Sequence, residues 1–167
     1  MTDPEKAIVA VVFGVSGSGK TEIGRRLANV MGWPFIDADD LHPQSNIRKM
    51  RAGQPLEDAD RWPWLDILRQ RIERQLSDGR SAVLACSALK QAYRDRLAAD
   101  PARVRFFYLK TPRAVLEQRL RDRRGHFFDP RLLDSQLETL EEPTAGATVV
   151  DAALAPEEVV AGICSAL

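Results

Sequence analysis

Eight residues near the N-terminus have the types and the spacing of a phosphate-binding loop. They match the pattern G-x-x-x-x-G-K-[ST] and are Gly14, Val15, Ser16, Gly17, Ser18, Gly19, Lys20 and Thr21. The apolar run 8–13 precedes them, and a segment with Ile23, Leu27 and Val30 at helical spacing follows. Because a strand before the glycines and a helix after them is the context that this motif requires, we interpret residues 14–21 as a phosphate loop.

The residue types explain how such a loop would hold phosphate. Glycines let the backbone turn its N–H groups inward, and the following helix adds partial positive charge at its N-terminus. Lys20 would reach the β- and γ-phosphates of ATP, and the Thr21 hydroxyl would hold Mg²⁺. The competing interpretation is a glycine-rich turn that carries a surface lysine.

Composition limits the remaining possibilities. The 167 residues indicate one domain, and 44% hydrophobic with 29% charged residues is typical of a globular protein. The 24 basic and 24 acidic residues cancel, which argues against nucleic acid or an anionic membrane as a partner bound through bulk charge. No apolar run approaches a membrane span, and no secretory pattern opens the chain, so we expect a cytoplasmic protein. Cys86 lies in an apolar run and is interpreted as a buried small residue.

Strand-like runs alternate with helical segments along the chain. The predicted strands are residues 8–13, 35–37, 82–86, 104–109 and 148–151. The predicted helices are residues 19–31, about 43–51, from near 60 to 76, and those that start near 87, 112, 130 and 156. This alternation predicts an α/β fold with a parallel sheet and helices on both faces.

Several helix details depend on single residues. Pro63 is expected in the first turn of the helix near 60, Ser87 is expected to cap the helix that carries Leu89, and Thr111 to cap one with Pro112 at its first position. The apolar stripe of the helix near 60 has helical spacing and consists of Leu65, Leu68, Ile72 and Leu76.

Acidic residues follow the second predicted strand. Because the carboxyl ends of parallel strands face the ligand crevice, Asp37 and Asp39 should lie on the side of the phosphate loop. Asp39 is our first candidate to orient or deprotonate an attacking hydroxyl, with Asp37 as the second. The alternatives for Asp39 are a helix cap or a ligand of Mg²⁺-bound water.

Two polar segments, about 40–61 and 119–131, favour a small-molecule kinase among the proteins with a phosphate loop. The first is suited to hold an acceptor, and the second to close over ATP as a lid that excludes water. The second segment contains an arginine cluster before an exposed-looking Gly-His-Phe-Phe run: Arg119, Arg121, Arg123 and Arg124. Its other interpretation is a solvated helix face.

Specific blocks of sequence resemble the bacterial gluconokinases of the thermoresistant type, in the shikimate-kinase-like group. The blocks are the phosphate loop, DADDLHP (37–43), NIRKMRAGQPLEDADRWPWL (46–65), CSALKQAYRD (86–95), RGHFF (124–128) and SQLETLEEP (135–143). The resemblance implies phosphorylation of D-gluconate to 6-phospho-D-gluconate by ATP with Mg²⁺. It also implies a P-loop kinase fold like that of nucleoside monophosphate kinases, with five parallel strands and a lid, and a homodimer.

With that resemblance, the site residues receive provisional roles. Gluconate is a polyol carboxylate and needs one cation and several hydrogen-bonding groups, for which the candidates are His42, Arg48, Lys49, Arg61 and Lys90. Arg124 and His126 are expected to meet the phosphates or the substrate when the lid closes. Arg119 is expected to stack on adenine, and Gln136 to face the acceptor. Trp62 and Trp64 are expected to serve packing.

Two alternatives stay open at this point. One is another small-molecule P-loop kinase, of the shikimate or nucleoside monophosphate type, although residues 41–61 argue against it. The other is a nucleotide-dependent switch or binding module without catalysis, which we would expect to lack the carboxylate after the second strand or the lid arginines.

Overall fold

The chain folds into a five-stranded sheet covered by helices on both faces. The structure is a computed structural model, and it describes residues 3–123 and 129–167. The strands are β1 (Val9–Phe13), β2 (Phe35–Asp37), β3 (Ala82–Cys86), β4 (Val104–Lys110) and β5 (Ala147–Asp151). All pairs are parallel and the order is β2-β3-β1-β4-β5, which confirms the predicted α/β class and the parallel sheet.

Helices connect consecutive strands, and a last one follows β5. They are α1 (Lys20–Met31), α2 (Gln44–Arg51), α3 (Asp58–Ser77), α4 (Gln91–Leu97), α5 (Arg113–Arg121), α6 (Pro130–Thr139) and α7 (Pro156–Ala166). Short 3-10 helices span Pro4–Lys6 and Ala38–Leu41. Within residues 3–123 and 129–167, no helix has both the length and the apolar character needed to cross a membrane.

Strand β1 lies at the centre of the sheet, and its position explains its composition. Every residue from Val9 to Phe13 is buried, as expected for a parallel strand covered on both faces. Phe13 at its C-terminal end is in register with Cys86 of β3 and Tyr108 of β4. The loops that follow β1, β3 and β4 therefore leave the sheet at one edge, and the phosphate loop is one of them.

The two faces of the sheet form separate cores. Val11 and Phe13 pack toward α3 and α4, whereas Ala10 and Val12 pack toward α1 and α7. Cys86 is buried in the first core, as predicted, and burial raises the pKa of its thiol to about 12. The predicted stripe of α3 is confirmed as well, because all four of its residues are buried.

Helix α1 buries a different stripe from the predicted one. Ile23 and Leu27 are buried, but Val30 is 68% exposed. The buried stripe also includes Gly24 and Ala28, so its centre is shifted round the helix and Val30 falls at its margin. The prediction for Val30 is therefore wrong.

Helix α3 begins earlier than predicted. The backbone N–H of Glu57 donates to Asp60 Oδ2 at 2.9 Å, and this contact stabilises a helix start at Asp58. Pro63 consequently lies in the second turn rather than the first, where it removes one backbone hydrogen bond.

Helix α4 begins later than predicted, at Gln91, and Ser87 does not cap it. The buried guanidinium of Arg94 donates to the carbonyl groups of Ala88 and Leu89 at 2.7 and 3.2 Å, which keeps this stretch out of the helix. Ala88 has a φ of +40° in this connection. At α5, Pro112 precedes the first helical residue instead of being that residue.

The packing of α3 leads to a paired stability prediction. Leu68 is fully buried and its neighbour Ile67 is 38% exposed, and truncation of either to alanine removes the same number of carbon atoms. We expect Leu68→Ala to lower the free energy of unfolding by about 2–5 kcal/mol. Ile67→Ala should lower it by about 1 kcal/mol or less. Urea denaturation measures both values, and equal losses would contradict the assigned face of α3.

Candidate active site

Two glycines inside the phosphate loop have left-handed backbone conformations. Gly17 and Gly19 have φ values of +86° and +92°. A Cβ atom on Gly17 would lie 3.1 Å from Leu120 Cγ and 3.3 Å from the carbonyl oxygen of Leu116 in α5. The loop is thus held closely against α5, and its last glycine directly precedes the N-terminus of α1.

Lys20 opens α1 and folds back over the loop. Its Nζ donates to the carbonyl oxygen of Val15 at 3.1 Å. The pKa of Lys20 is lowered, chiefly because protein atoms displace water from the ammonium group, while the charge of Asp39 opposes this change. A bound phosphate oxygen could replace the Val15 carbonyl oxygen as the acceptor for Lys20 Nζ.

A cleft of about 800 Å³ opens above the phosphate loop and brings most of the predicted phosphate-site residues together. Residues of the loop, of α1, of the turn after β2 and of α5 with its following turn line it: Ser16, Gly17, Gly19, Lys20, Thr21, Glu22, Arg25, Asp39, Arg119, Asp122 and Arg123. Four of these side chains are cationic and three are acidic, so the cleft has a small excess of positive charge in a chain without net charge. The sequence analysis missed Arg25, although its position one helical turn after Thr21 could have indicated it.

The structure separates the roles of the two aspartates after β2. Asp37 precedes the 3-10 helix, and its Oδ1 accepts the backbone N–H of Asp39 at 3.0 Å. The carboxylate of Asp39 borders the cleft instead. Its pKa is raised, first by loss of hydration and then by the charge of Asp37, whereas Lys20 lowers it. The cap alternative therefore applies to Asp37, and within residues 3–123 and 129–167 the Asp39 side chain makes no hydrogen bond.

Arg119 lies beside the loop at the end of α5. Its guanidinium donates to the carbonyl oxygen of Ala152 at 2.5 Å and to those of Gly17 and Ser18 at 3.3 and 3.4 Å. These contacts fix the plane of the guanidinium between the phosphate loop and the turn after β5.

Gln136 contacts the phosphate loop from α6. Its Oε1 accepts the backbone N–H of Ser16 at 2.7 Å, and its Nε2 donates to Ser16 Oγ at 3.1 Å. Both polar groups of this amide are thus engaged with one residue of the loop.

Two of the predicted substrate residues, one before α2 and one on it, contact α3. The His42 ring stacks on Trp64 with centroids 4.2 Å apart, and Lys49 Nζ lies 2.8 Å from Asp60 Oδ2. Arg48 is exposed, and the described part of the chain offers its side chain no hydrogen bond or ion pair. Trp64 is buried and donates to the carbonyl oxygen of Ala38 at 2.8 Å, which confirms its packing role.

Arg61 and Lys90 meet around Asp58 and Tyr93. Lys90 Nζ lies 3.1 Å from both carboxylate oxygens of Asp58, and Tyr93 donates a short hydrogen bond to the same carboxylate. Arg61 donates to Tyr93 Oη at 3.0 Å. The Tyr93 and Lys90 contacts lower the pKa of Asp58. Trp62 lies at the margin of this cluster, 38% exposed and edge-on to Tyr93.

Arg94 is a residue whose importance the sequence analysis missed. Besides its contacts to Ala88 and Leu89, it donates to the carbonyl oxygen of Glu141 at 2.6 Å and lies 4.9 Å from the ring centroid of Phe13. It therefore connects the loop after β3 with the segment after α6. No local pattern distinguishes it from the exposed arginines around it.

Arg124 and His126, the predicted lid residues, lie outside the described residues, and their roles stay predictions. The described part of the predicted lid segment, 119–123 and 129–131, includes the end of α5 and the start of α6.

Comparisons with known proteins agree with one another. A family model described as an AAA domain matches residues 9–143. A gluconokinase of Gluconobacter oxydans is 48% identical over 133 residues, which cover 80% of this chain and 75% of that protein. A crystal structure of a gluconokinase from Sinorhizobium meliloti is 43% identical with a TM-score of 0.82, and one of a sugar kinase from Janibacter is 42% identical with a TM-score of 0.85. Each alignment covers 95% of this chain and 93% of the other.

The geometry of Gly17 predicts a selective loss of nucleotide affinity. Gly17→Ala strains a left-handed backbone and forces the loop away from α5, so we expect ADP affinity to fall about tenfold or more. Gly146→Ala is the matched control, because Gly146 also has a positive φ, of +74°, but has no atom within 4 Å of an added Cβ. Both variants should lose about 1–3 kcal/mol of stability. Titration calorimetry with ADP measures affinity, and an unchanged Gly17→Ala value would contradict the loop geometry.

Proposed function

The chain belongs to the gluconokinase family, and we propose that it transfers the γ-phosphoryl group of ATP to D-gluconate, with 6-phospho-D-gluconate as the product. One observation carries this proposal from the structure. A phosphate loop with its lysine and a carboxylate with a raised pKa line the same cleft, in a chain that shares 48% identity with a gluconokinase.

The cations of the cleft account for the ATP side of the reaction. Backbone N–H groups of the phosphate loop and the N-terminus of α1 would hold the β- and γ-phosphates. Lys20 would exchange its hydrogen bond to the Val15 carbonyl for one to the phosphoryl oxygens, where its charge would stabilise the negative charge that develops in the transition state. Arg119 presents a fixed guanidinium plane at the turn after β5, and we propose that adenine stacks there.

Asp39 is the proposed catalytic base. A gluconate hydroxyl oxygen attacks the γ-phosphorus, the bond to the bridging oxygen breaks, and ADP leaves with that electron pair. The hydroxyl proton passes to the Asp39 carboxylate. A carboxylate with a raised pKa accepts this proton more readily than an ordinary aspartate does, and it makes no hydrogen bond through its side chain within the described residues.

The residues at the loop fit a magnesium ion bound mainly through phosphate. Thr21 stands exposed at the cleft with its hydroxyl, and Asp39 borders the same space. Within residues 3–123 and 129–167, no group of three or more histidine, cysteine or acidic side chains could hold a metal alone. Mg²⁺ typically keeps its waters and binds through one or two protein ligands plus phosphate oxygens, whose charge it neutralises. We therefore propose Thr21 as the protein ligand.

The polar cluster of α2, α3 and the loop after β3 is the proposed acceptor side. Lys49 and Lys90 each already hold an aspartate, so a substrate carboxylate would have to displace Asp60 or Asp58 from them. Arg48 needs no such exchange, and we propose it for the gluconate carboxylate. His42 and Arg61 would supply hydrogen bonds to hydroxyl groups.

Other parts of the proposal rest on the resemblance alone. They are a homodimer, a cytoplasmic location, and closure of a lid formed by about residues 119–131 that brings Arg124 and His126 to the phosphates. No observation favours a different acceptor class, such as shikimate or a nucleoside monophosphate.

An acceptor panel tests the function. Purified protein with Mg²⁺-ATP should release ADP with gluconate, and not with shikimate, glycerate or nucleoside monophosphates, in a coupled assay. Lys20→Met should lower kcat by about 100- to 1,000-fold, because it removes a cation that stabilises the transition state. Lys6→Met, at an exposed lysine remote from the cleft, should leave kcat unchanged. Turnover with a different acceptor alone would refute the substrate, and a Lys20→Met loss below tenfold would refute the role of Lys20.

The two shifted pKa values predict a pH profile of kcat/KM for ATP, which reports the enzyme before the nucleotide binds. Asp39 must be ionised, so activity should fall as the pH drops through a value above the ordinary aspartate pKa of about 3.9. Lys20 must be protonated, so activity should also fall as the pH rises through a value below the ordinary lysine pKa of about 10.4.

Substitution of the base checks the assignment of the acid limb. Asp39→Asn should lower kcat about 100- to 10,000-fold. The fall of activity at low pH should also disappear, because the group that must be ionised is gone. The neighbouring exposed carboxylate serves as control, and Asp40→Asn should keep both limbs. An Asp39→Asn enzyme with near-normal turnover and an intact acid limb would contradict the role of Asp39.

A further inference from the structure

The hydrogen bonds between Gln136 and Ser16 restrict where the hydroxyl hydrogen of Ser16 can point. A backbone N–H can only donate, so the atom of Gln136 at 2.7 Å from the Ser16 nitrogen must be the amide oxygen. The other end of the amide is then the NH₂ group, 3.1 Å from Ser16 Oγ. Because this group can only donate, the Ser16 hydroxyl oxygen is the acceptor, and its own hydrogen points elsewhere.

The hydroxyl of Ser16 borders the cleft above the phosphate loop. Within residues 3–123 and 129–167, no acceptor takes its hydrogen. The same amide holds the Ser16 N–H on the side of α6. Ser16 therefore offers its hydroxyl, rather than its N–H, to a ligand in the cleft.

We propose that Gln136 is a positioning residue that keeps the Ser16 hydroxyl as a hydrogen-bond donor to an oxygen of the terminal phosphoryl group of ATP. This inference rests on the proposed function for the identity of the nucleotide. A donor whose orientation is set before the nucleotide binds needs no reorganisation as charge develops, and this is how preorganised donors stabilise a transition state.

Helix α6, which carries this amide, is held in place by hydrogen bonds and packing. Its C-terminal end is joined to the loop after β3, because the Glu141 N–H donates to the Leu89 carbonyl at 2.8 Å and the Gln91 N–H donates to Glu141 Oε1 at 2.8 Å. Leu133, one turn before Gln136, is buried beside Leu116 of α5. The amide is thus held by packing on one side and by hydrogen bonds on the other.

Three variants test the proposal. Ser16→Ala removes the donor and keeps the backbone N–H bond to Gln136. Gln136→Glu keeps the side-chain length, but a carboxylate accepts from both the N–H and the hydroxyl of Ser16, so the hydroxyl hydrogen turns away from the cleft. The double variant, Ser16→Ala with Gln136→Glu, has the added charge but no hydroxyl at position 16. Comparing the effect of Gln136→Glu with and without the hydroxyl therefore separates the orientation of the hydroxyl from the effect of the charge. Ser135→Ala, at the exposed neighbour of Gln136 on α6, is the control.

The expected results separate a donor from a general support of the loop. Ser16→Ala should lower kcat about 10- to 100-fold and weaken binding of a non-hydrolysable ATP analogue about tenfold, while ADP affinity changes by less than about twofold. Gln136→Glu should lower kcat by a factor that is at least about ten times larger when Ser16 is present than when residue 16 is already alanine. Ser135→Ala should match the wild type in every measurement.

Three outcomes would overturn the inference. They are a Ser16→Ala enzyme within about twofold of wild-type kcat, an ADP affinity that falls as much as the affinity for the ATP analogue, and an equal cost of Gln136→Glu in both backgrounds. The comparison of ADP with the ATP analogue needs no acceptor. A failure of gluconate as substrate would therefore leave this part of the test intact and be recognised separately.

Discussion

The burial of β1 is the constraint on which the site depends. A strand with no exposed residue, hydrogen-bonded on both sides, ends at Phe13, and the chain must turn at once to reach α1. The turn is the phosphate loop, and its glycines adopt left-handed conformations against α5. The core thus presents backbone N–H groups at a place where neither the strand nor the helix can use them.

The chemistry of the cleft follows from an uneven distribution of charge. The chain has no net charge, yet one space is lined by only three acidic side chains and by four cationic ones: Lys20, Arg25, Arg119 and Arg123. On the proposed acceptor side, Asp58 and Asp60 pair with Lys90 and Lys49, whereas Arg48 has no such partner within residues 3–123 and 129–167. The proposed acceptor side thus pairs two lysines and leaves Arg48 for the substrate carboxylate, while the cleft above the phosphate loop keeps a small excess of positive charge. This division suits a kinase that must hold ATP and one small acceptor at the same time.

Helix α6 joins the two sides. Gln136 engages the phosphate loop, and the segment after the helix is bound to the loop after β3 through Glu141 and the buried Arg94. A displacement of α6 would therefore act on the ATP side and on the acceptor side together.

The sequence by itself determined the alternating α/β fold, the phosphate loop and the placement of Asp39 at the sheet edge, because these depend on local periodicity and on glycine and lysine at fixed spacing. Only the tertiary structure decided that Gln136 binds Ser16, that Asp37 rather than Asp39 caps the turn, and that Ser87 starts no helix. The reason is physical: the Gln136 contact joins residues 120 positions apart, and the loop at Ser87 is held by Arg94, which also binds the distant Glu141 carbonyl. The Asp37 cap is a local contact, but two neighbouring aspartates offer the same side chain and only the folded turn selects one of them. Hydrogen bonds of this kind leave no periodic pattern in the sequence.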